Sequence, residues 1–263
     1  MNQRLAKLAS GLSPGSKERI AILAGLTKQS GRDSNIPGKH ILDNAEVFGN
    51  AQVLGNAEVS GNAKVANRAE VYGRARVTDD ALVDDNAKVW GDAKVYDKAT
   101  VWGDAKVFGN AKVTGRAEVY GKAHVSGNAG VYGGAKVYGD ALVDDNAKVY
   151  DNARVFDDAK VFGDAYVGGK AKVSDNAKVF GNAEVFDRAM VDDNAKVYNT
   201  ARVFDDAKVY GDALVSGDAL VGGNAMVYGK ADISGTAVIL GGGWDGSEGK
   251  ITSGRWKAPG VPY

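Results

Sequence analysis

The chain is 263 residues long and carries 33 Lys plus Arg against 33 Asp plus Glu, so no net field recruits nucleic acid or an anionic membrane. Apolar residues make up 44% of it, an ordinary share for a folded globular chain. Cysteine is absent, which excludes disulfides, thiol catalysis and thiolate metal sites.

Residues 1–40 read as a helical cap and linker. Residues 2–10 and 14–27 are the helical stretches: Ser13 and Pro14 fit an N-cap and first helical position, and Ile20, Ile22, Leu23 and Leu26 form an apolar stripe. Such a helix would cover the open core and unpaired edge of whatever follows. Lys7, Ser10 and Ser13 interrupt any apolar run of signal-peptide length, and no stretch approaches the roughly 18 apolar residues of a membrane span, so a cytoplasmic chain is expected. Residues 28–40, broken by Gly31, Pro37 and Gly38, read as linker.

From residue 41 to 240 the period is six. Every sixth residue from Ala45 to Ala237 is alanine, 33 in all, and two residues after each stands Val or, at Ile233 and Ile239, Ile. Two residues before each alanine the residue is Gly, Asp or Asn, in the proportion 20, 11 and 2. These types tolerate positive φ. The unit is therefore a left-handed corner followed by a short strand with Ala and Val inward and their neighbours outward. Equivalent corners that all turn one way make a triangular coil of three segments and 18 residues, and the fold class expected is all-β: one left-handed parallel β-helix of about 11 coils, stacked at roughly 4.8 Å.

After Ile239 the hexad stops. Residues 241–263 read as a non-repeat C-terminal cap containing Trp, Gly and Pro, with Trp244 and Trp256 as a plug over the last coil. The alternative is a recognition patch in which Asp245 and Arg255 surround the two tryptophans.

Residues 18 apart share a face, which arranges the outward residues in rows. Of 22 aromatic residues, 18 directly follow the core aliphatic. The row Trp102, Tyr120, Tyr138 and Phe156 is a candidate interaction stripe; its rings either stack on one another or offer a platform to a subunit or a sugar. Asp157, Asp175 and Asp193 also fall in a row that invites a hard cation with oxygen ligands. Asp serves the corner by itself, however, since Gly and Asn replace it elsewhere, and neither metal nor cofactor is expected.

The units VFGNAQ, VYGDAL and VFDDAK resemble the hexapeptide-repeat family of left-handed β-helices, over about three quarters of the chain. The resemblance implies the fold; the family includes acyltransferases, γ-class carbonic anhydrases and uncharacterised bacterial and prophage-encoded repeat proteins, and this chain looks most like the last. By that resemblance an acyltransferase would use a histidine base near a subunit boundary, and His124 is the one candidate, but no loop interrupts the coils to shape an acceptor pocket. The carbonic anhydrase pattern needs three histidines and the chain has two. The reading is a non-enzymatic structural or protein-interaction scaffold, phage-like in kind, whose partners are further copies of itself, as in a homo-oligomer such as a trimer, or another protein. Two alternatives stay open: a trimeric acyltransferase with His124 as base, and a polysaccharide-binding solenoid.

Overall fold

The computed structural model describes residues 28–29, 40–258 and 261–262. They fall in two compact units, 1–128 and 129–263.

The corner residues determine the local structure in both. All 33 positions from Asp43 to Gly235 that carry Gly, Asp or Asn have positive φ, between 52° and 75°. Most corners close as a four-residue turn in which the alanine amide donates to the carbonyl three residues earlier, as Ala87 does to Asp84 at 3.2 Å. Two-residue strands then alternate with corners, and each strand pairs in parallel with the strand 18 residues on.

In the first unit three such ladders run through Glu46–Phe48 to Glu118–Val119, Gln52–Val53 to His124–Val125, and His40–Ile41 to Lys112–Val113. In the second unit they run through Gly130–Val131 to Val238–Ile239, Lys136–Val137 to Met226–Val227, and Leu142–Val143 to Asp232–Ile233. Each unit is thus a left-handed parallel β-solenoid with three strands per coil. Outward residues donate their amides to carbonyls of the next coil, as Lys88 does to Ala105 and Trp90 to Val107, at 2.9 and 3.0 Å. From Ala57 to Val227 the inward Ala and Val are 0–1% exposed. Each buried valine contributes about 1.5–3 kcal/mol before the ordering cost.

Aspartate at a corner does more than tolerate φ. The amide of a corner residue has no carbonyl partner in the adjoining coil, and the preceding Asp supplies one: Asp85 accepts from Gly103 at 3.2 Å, Asp145 from Gly163 at 3.0 Å, and Asp193 from Gly211 at 2.9 Å. Glycine serves where the coils come closest. A Cβ on Gly217 would lie 2.7 Å from the Gly235 amide nitrogen.

The N-terminal helical cap of the expected fold class is corrected. No helix occurs among the described residues, and segments 2–10 and 14–27, where helices were expected, lie outside them. What meets the first coil is a strand, Lys28–Gln29, paired antiparallel with Glu46–Phe48. A reversed strand satisfies the backbone edge directly, which an amphipathic helix cannot do. At the other end the ladders outlast the hexad. Gly243–Trp244 pairs in parallel with Met226–Val227, Ile251 bridges Ile233, and Arg255–Ala258 pairs in parallel with Val238–Ile239. Val261–Pro262 then pairs antiparallel with Arg255–Ala258. Trp244, 1% exposed, takes the place of a core valine, donates its indole N–H to the Gly241 carbonyl at 2.7 Å, and packs edge-on to Trp256 at 6.0 Å.

Gly217→Ala combines strain at φ 65° with a backbone clash, so it is expected to cost about 1–3 kcal/mol in chemical denaturation. Asp145→Gly, which keeps the corner geometry and loses one carboxylate–amide bond, should cost about 0.5–1.5 kcal/mol.

Candidate functional site

The outward rows are the surface on which chemistry can be displayed, and the solenoid register brings like residues onto like. In the aromatic rows the rings stack face to face. Tyr72, Trp90 and Phe108 have centroids 5.6 and 4.4 Å apart with planes within 4°, and Phe162, Phe180 and Tyr198 have centroids 4.9 and 5.1 Å apart. Of the row singled out from sequence, Trp102 stacks on Tyr120 at 4.5 Å in the first unit, and Tyr138 on Phe156 at 5.0 Å in the second. The residue that follows a stack is small and buried: Ser126 after Phe108, Ser174 after Phe156 and Ser216 after Tyr198 are 4–6% exposed. The Phe204 ring lies over Gly222, where a Cβ would meet its Cζ at 2.3 Å. The rings therefore spend their faces on one another and on small neighbours, and turn their edges to solvent. Sugar binding by aromatic stacking needs a free face, which this arrangement does not favour.

The mid-face rows carry charge. Where an acid stands one coil before a base the two pair: Glu46 with Lys64 at 3.3 Å, Glu70 with Lys88 at 3.0 Å, Glu184 with Arg202 at 3.1 Å, and Asp232 with Lys250 at 3.1 Å. At the corners Arg74 pairs with Asp92, and Arg188 holds Asp206 by two hydrogen bonds. A shallow depression of about 430 Å³ beside that pair is lined by Gly169, Lys170, Asp187, Arg188 and Asp205.

Asp157, Asp175 and Asp193 occupy successive corners, each exposed and each at φ between 52° and 56°. The carboxylates that come together are Asp175, Asp192 and Asp193, with oxygens within 4.8 Å of one another. Asp192 entered through a step of 17 residues, the same step that joins Asn67 to Asp84 at 2.7 Å and the Thr114 hydroxyl to Asp97. In those two pairs a donor meets an acceptor, whereas Asp175 meets another acid. Asp175 is pushed up to about 6, first by its hydrogen bond to Asp192, then by desolvation and by the charges of Asp192, Asp157 and Asp193. Burial opposes ionisation of Asp192, but hydrogen bonds with Asp175, the Ser174 hydroxyl and the Asp193 amide outweigh it and hold it below the usual carboxylate range. The two carboxyls therefore titrate as a pair, with Asp175 shifted up and Asp192 down. A hard cation takes six to eight oxygens, and this group offers three carboxylates, one of them already engaged by Ser174.

His124 is an outward, half-buried residue, opposite Lys106 in its ladder, with its ring edge-on to Phe108 at 6.5 Å. At the tail, Asp245 is exposed, its carboxylate capped by the Ser247 amide at 2.8 Å. A hydrogen bond with the Ser247 hydroxyl, and then the one from its amide, lowers its pKa. Arg255 is exposed and Trp256 half-buried, its indole donating to the Ser253 carbonyl at 3.0 Å.

Residues 207–223 match a family model described as the YdcK Beta solenoid repeat. That segment is YdcK-like. The matched segment holds Lys208–Val209, Leu214–Val215 and Leu220–Val221, one strand from each ladder of the second unit, so the YdcK-like match covers close to one complete coil. No curated protein matches the chain. No helix among the described residues is long and apolar enough to cross a membrane.

Two outcomes follow. Phe180→Ala removes two ring contacts and should lower stability by at least about 1–3 kcal/mol in urea denaturation, with secondary structure retained by circular dichroism. The folded pKa of Asp175 is raised, so its contribution to stability is fullest below the ordinary carboxylate range and declines as pH climbs through about 6. Asp175→Asn, an identity that corners 67 and 199 already accept, should therefore gain melting temperature over wild type on going from pH 4.5 to 7.5. A constant difference across that range would contradict the upward shift of Asp175.

Proposed function

We propose that the chain is a structural interaction protein, a rigid β-solenoid scaffold that presents charged and aromatic rows to a partner. The observation that carries this reading is the in-register surface. Every outward row repeats at the strand spacing of roughly 4.8 Å while the Ala and Val beneath it remain out of solvent, so side chains are held at fixed intervals by a core that cannot rearrange coil by coil. Charge rows on such a support fit an extended surface better than a small molecule, because the arrangement is linear and shallow. The finer assignment, to the hexapeptide-repeat left-handed β-helix proteins with phage- or prophage-encoded members, rests on motifs such as VYGDAL and VFDDAK. Assembly of the chain with itself belongs to the same proposal.

Light scattering on the full chain tests it. A discrete oligomer at low salt that loosens at high salt is expected, since interactions between exposed charges are screened beyond a Debye length of about 8–10 Å at physiological ionic strength. A monomer at every concentration and salt would remove self-assembly from the proposal.

A further inference from the structure

In the second unit three consecutive coils repeat one short segment: Asp157-Asp158-Ala159-Lys160, Asp175-Asn176-Ala177-Lys178 and Asp193-Asn194-Ala195-Lys196. The register sets Lys160 against Lys178 and Lys178 against Lys196 in one ladder, bounded by Leu142 and Leu214. The corner just before that ladder carries Asp157, Asp175 and Asp193, so an acidic row and a basic row of equal length run side by side with one step.

Each row is a like-charge stack, which in-register neighbours make unfavourable. Other acids stand one coil before a base and pair with it, as Glu184 does with Arg202, and like-charge neighbours also occur in the basic rows Arg76, Lys94, Lys112 and Lys136, Arg154, Lys172. What distinguishes this place is an acidic and a basic row of equal length side by side: among the described residues none of the six takes part in an ion pair. The neighbours that act on Asp175 are acids, Asp192, Asp157 and Asp193, and no lysine offsets them. Two rows without ion pairs remain, opposite in sign, equal in length and matched in step.

We infer that these twin rows are a docking surface for a second copy of this chain, related by a two-fold axis that runs parallel to the coil axis and between the rows. This deepens the scaffold reading, on which it rests. A partner must offer a basic row opposite the acids and an acidic row opposite the lysines, at the strand spacing of about 4.8 Å, and the same three coils of a like chain do so. The orientation follows from the charges. A two-fold parallel to the coil axis lays each acidic row on the partner's basic row at the same height, giving six ion pairs, whereas a two-fold across the face would lay acid on acid. A linear polyanion would satisfy the lysines and be repelled by the aspartates beside them.

The test uses three full-length chains: wild type, the basic-neutral variant K160Q/K178Q/K196Q and the acid-neutral variant D157N/D175N/D193N, whose asparagines suit positive φ as at Asn67 and Asn199. Sedimentation velocity at low salt should find wild type dimeric and each variant alone weakened by about 30-fold or more, six exposed pairs being lost at a few tenths of a kcal/mol each. An equimolar mixture of the two variants should regain a dimer, because one acid row still meets one basic row. Carbodiimide coupling in a mixture of isotope-labelled and unlabelled wild type should join Asp157 to Lys160 and Asp193 to Lys196 between copies. A dimer that survives both neutralisations would overturn this surface and leave self-assembly standing. A monomeric wild type would overturn both. Circular dichroism and melting of the variants separate loss of docking from loss of fold.

Discussion

Everything in this protein depends on the hydrogen bond between coils. An outward residue donates its amide to the carbonyl of an inward residue 17 positions later, at about 2.9 Å, from one coil to the next. That bond keeps its register only if every side of every coil has the same length, and the corners guarantee this. A residue at positive φ turns the chain within four residues and in one sense, and Gly, Asp and Asn can do so at little cost. With turn and strand both of constant length, the interior has room for one Ala and one Val per side and no more.

The same constraint governs the surface. Because each side chain lies directly beside the one 18 residues on, identity along a row becomes contact along a row. Aromatics then stack, acids before bases pair, and equal charges are forced together. The first two stabilise the solenoid from outside. Stretches of like charge oppose it and persist on a support rigid enough to hold them.

The corner rule and the inward pair could be read from the residues alone, since alternation and a fixed six-residue period leave few other folds open. The rows followed by counting 18, and the stacking of Trp102 on Tyr120 and Tyr138 on Phe156 followed from the rows. Three features did not. Asp192 joins Asp175 by a step of 17, because the residue after Val in one coil meets a corner of the coil before, as Asp84 meets Asn67 and Thr114 meets Asp97, and counting by 18 alone overlooks it. The tail keeps its ladders although its hexads are lost; the signal was present, for Trp244 stands 17 after Val227 and Ile251 stands 18 after Ile233, but the glycines between them masked it. The first edge is met by Lys28–Gln29, a polar pair with no strand-like pattern, which pairs antiparallel with Glu46–Phe48.

The 18-residue step also decides how such a chain can change in length. Duplicating or deleting a whole coil leaves every neighbouring residue on its own face and lengthens or shortens each row by one member, so a surface can be measured out in units of one strand spacing. A duplication of six residues fits the backbone equally well, yet it rotates everything downstream by one side, cutting each stack and joining a row of one kind to a row of another. The fold tolerates both, while the pattern on its surface survives only the first.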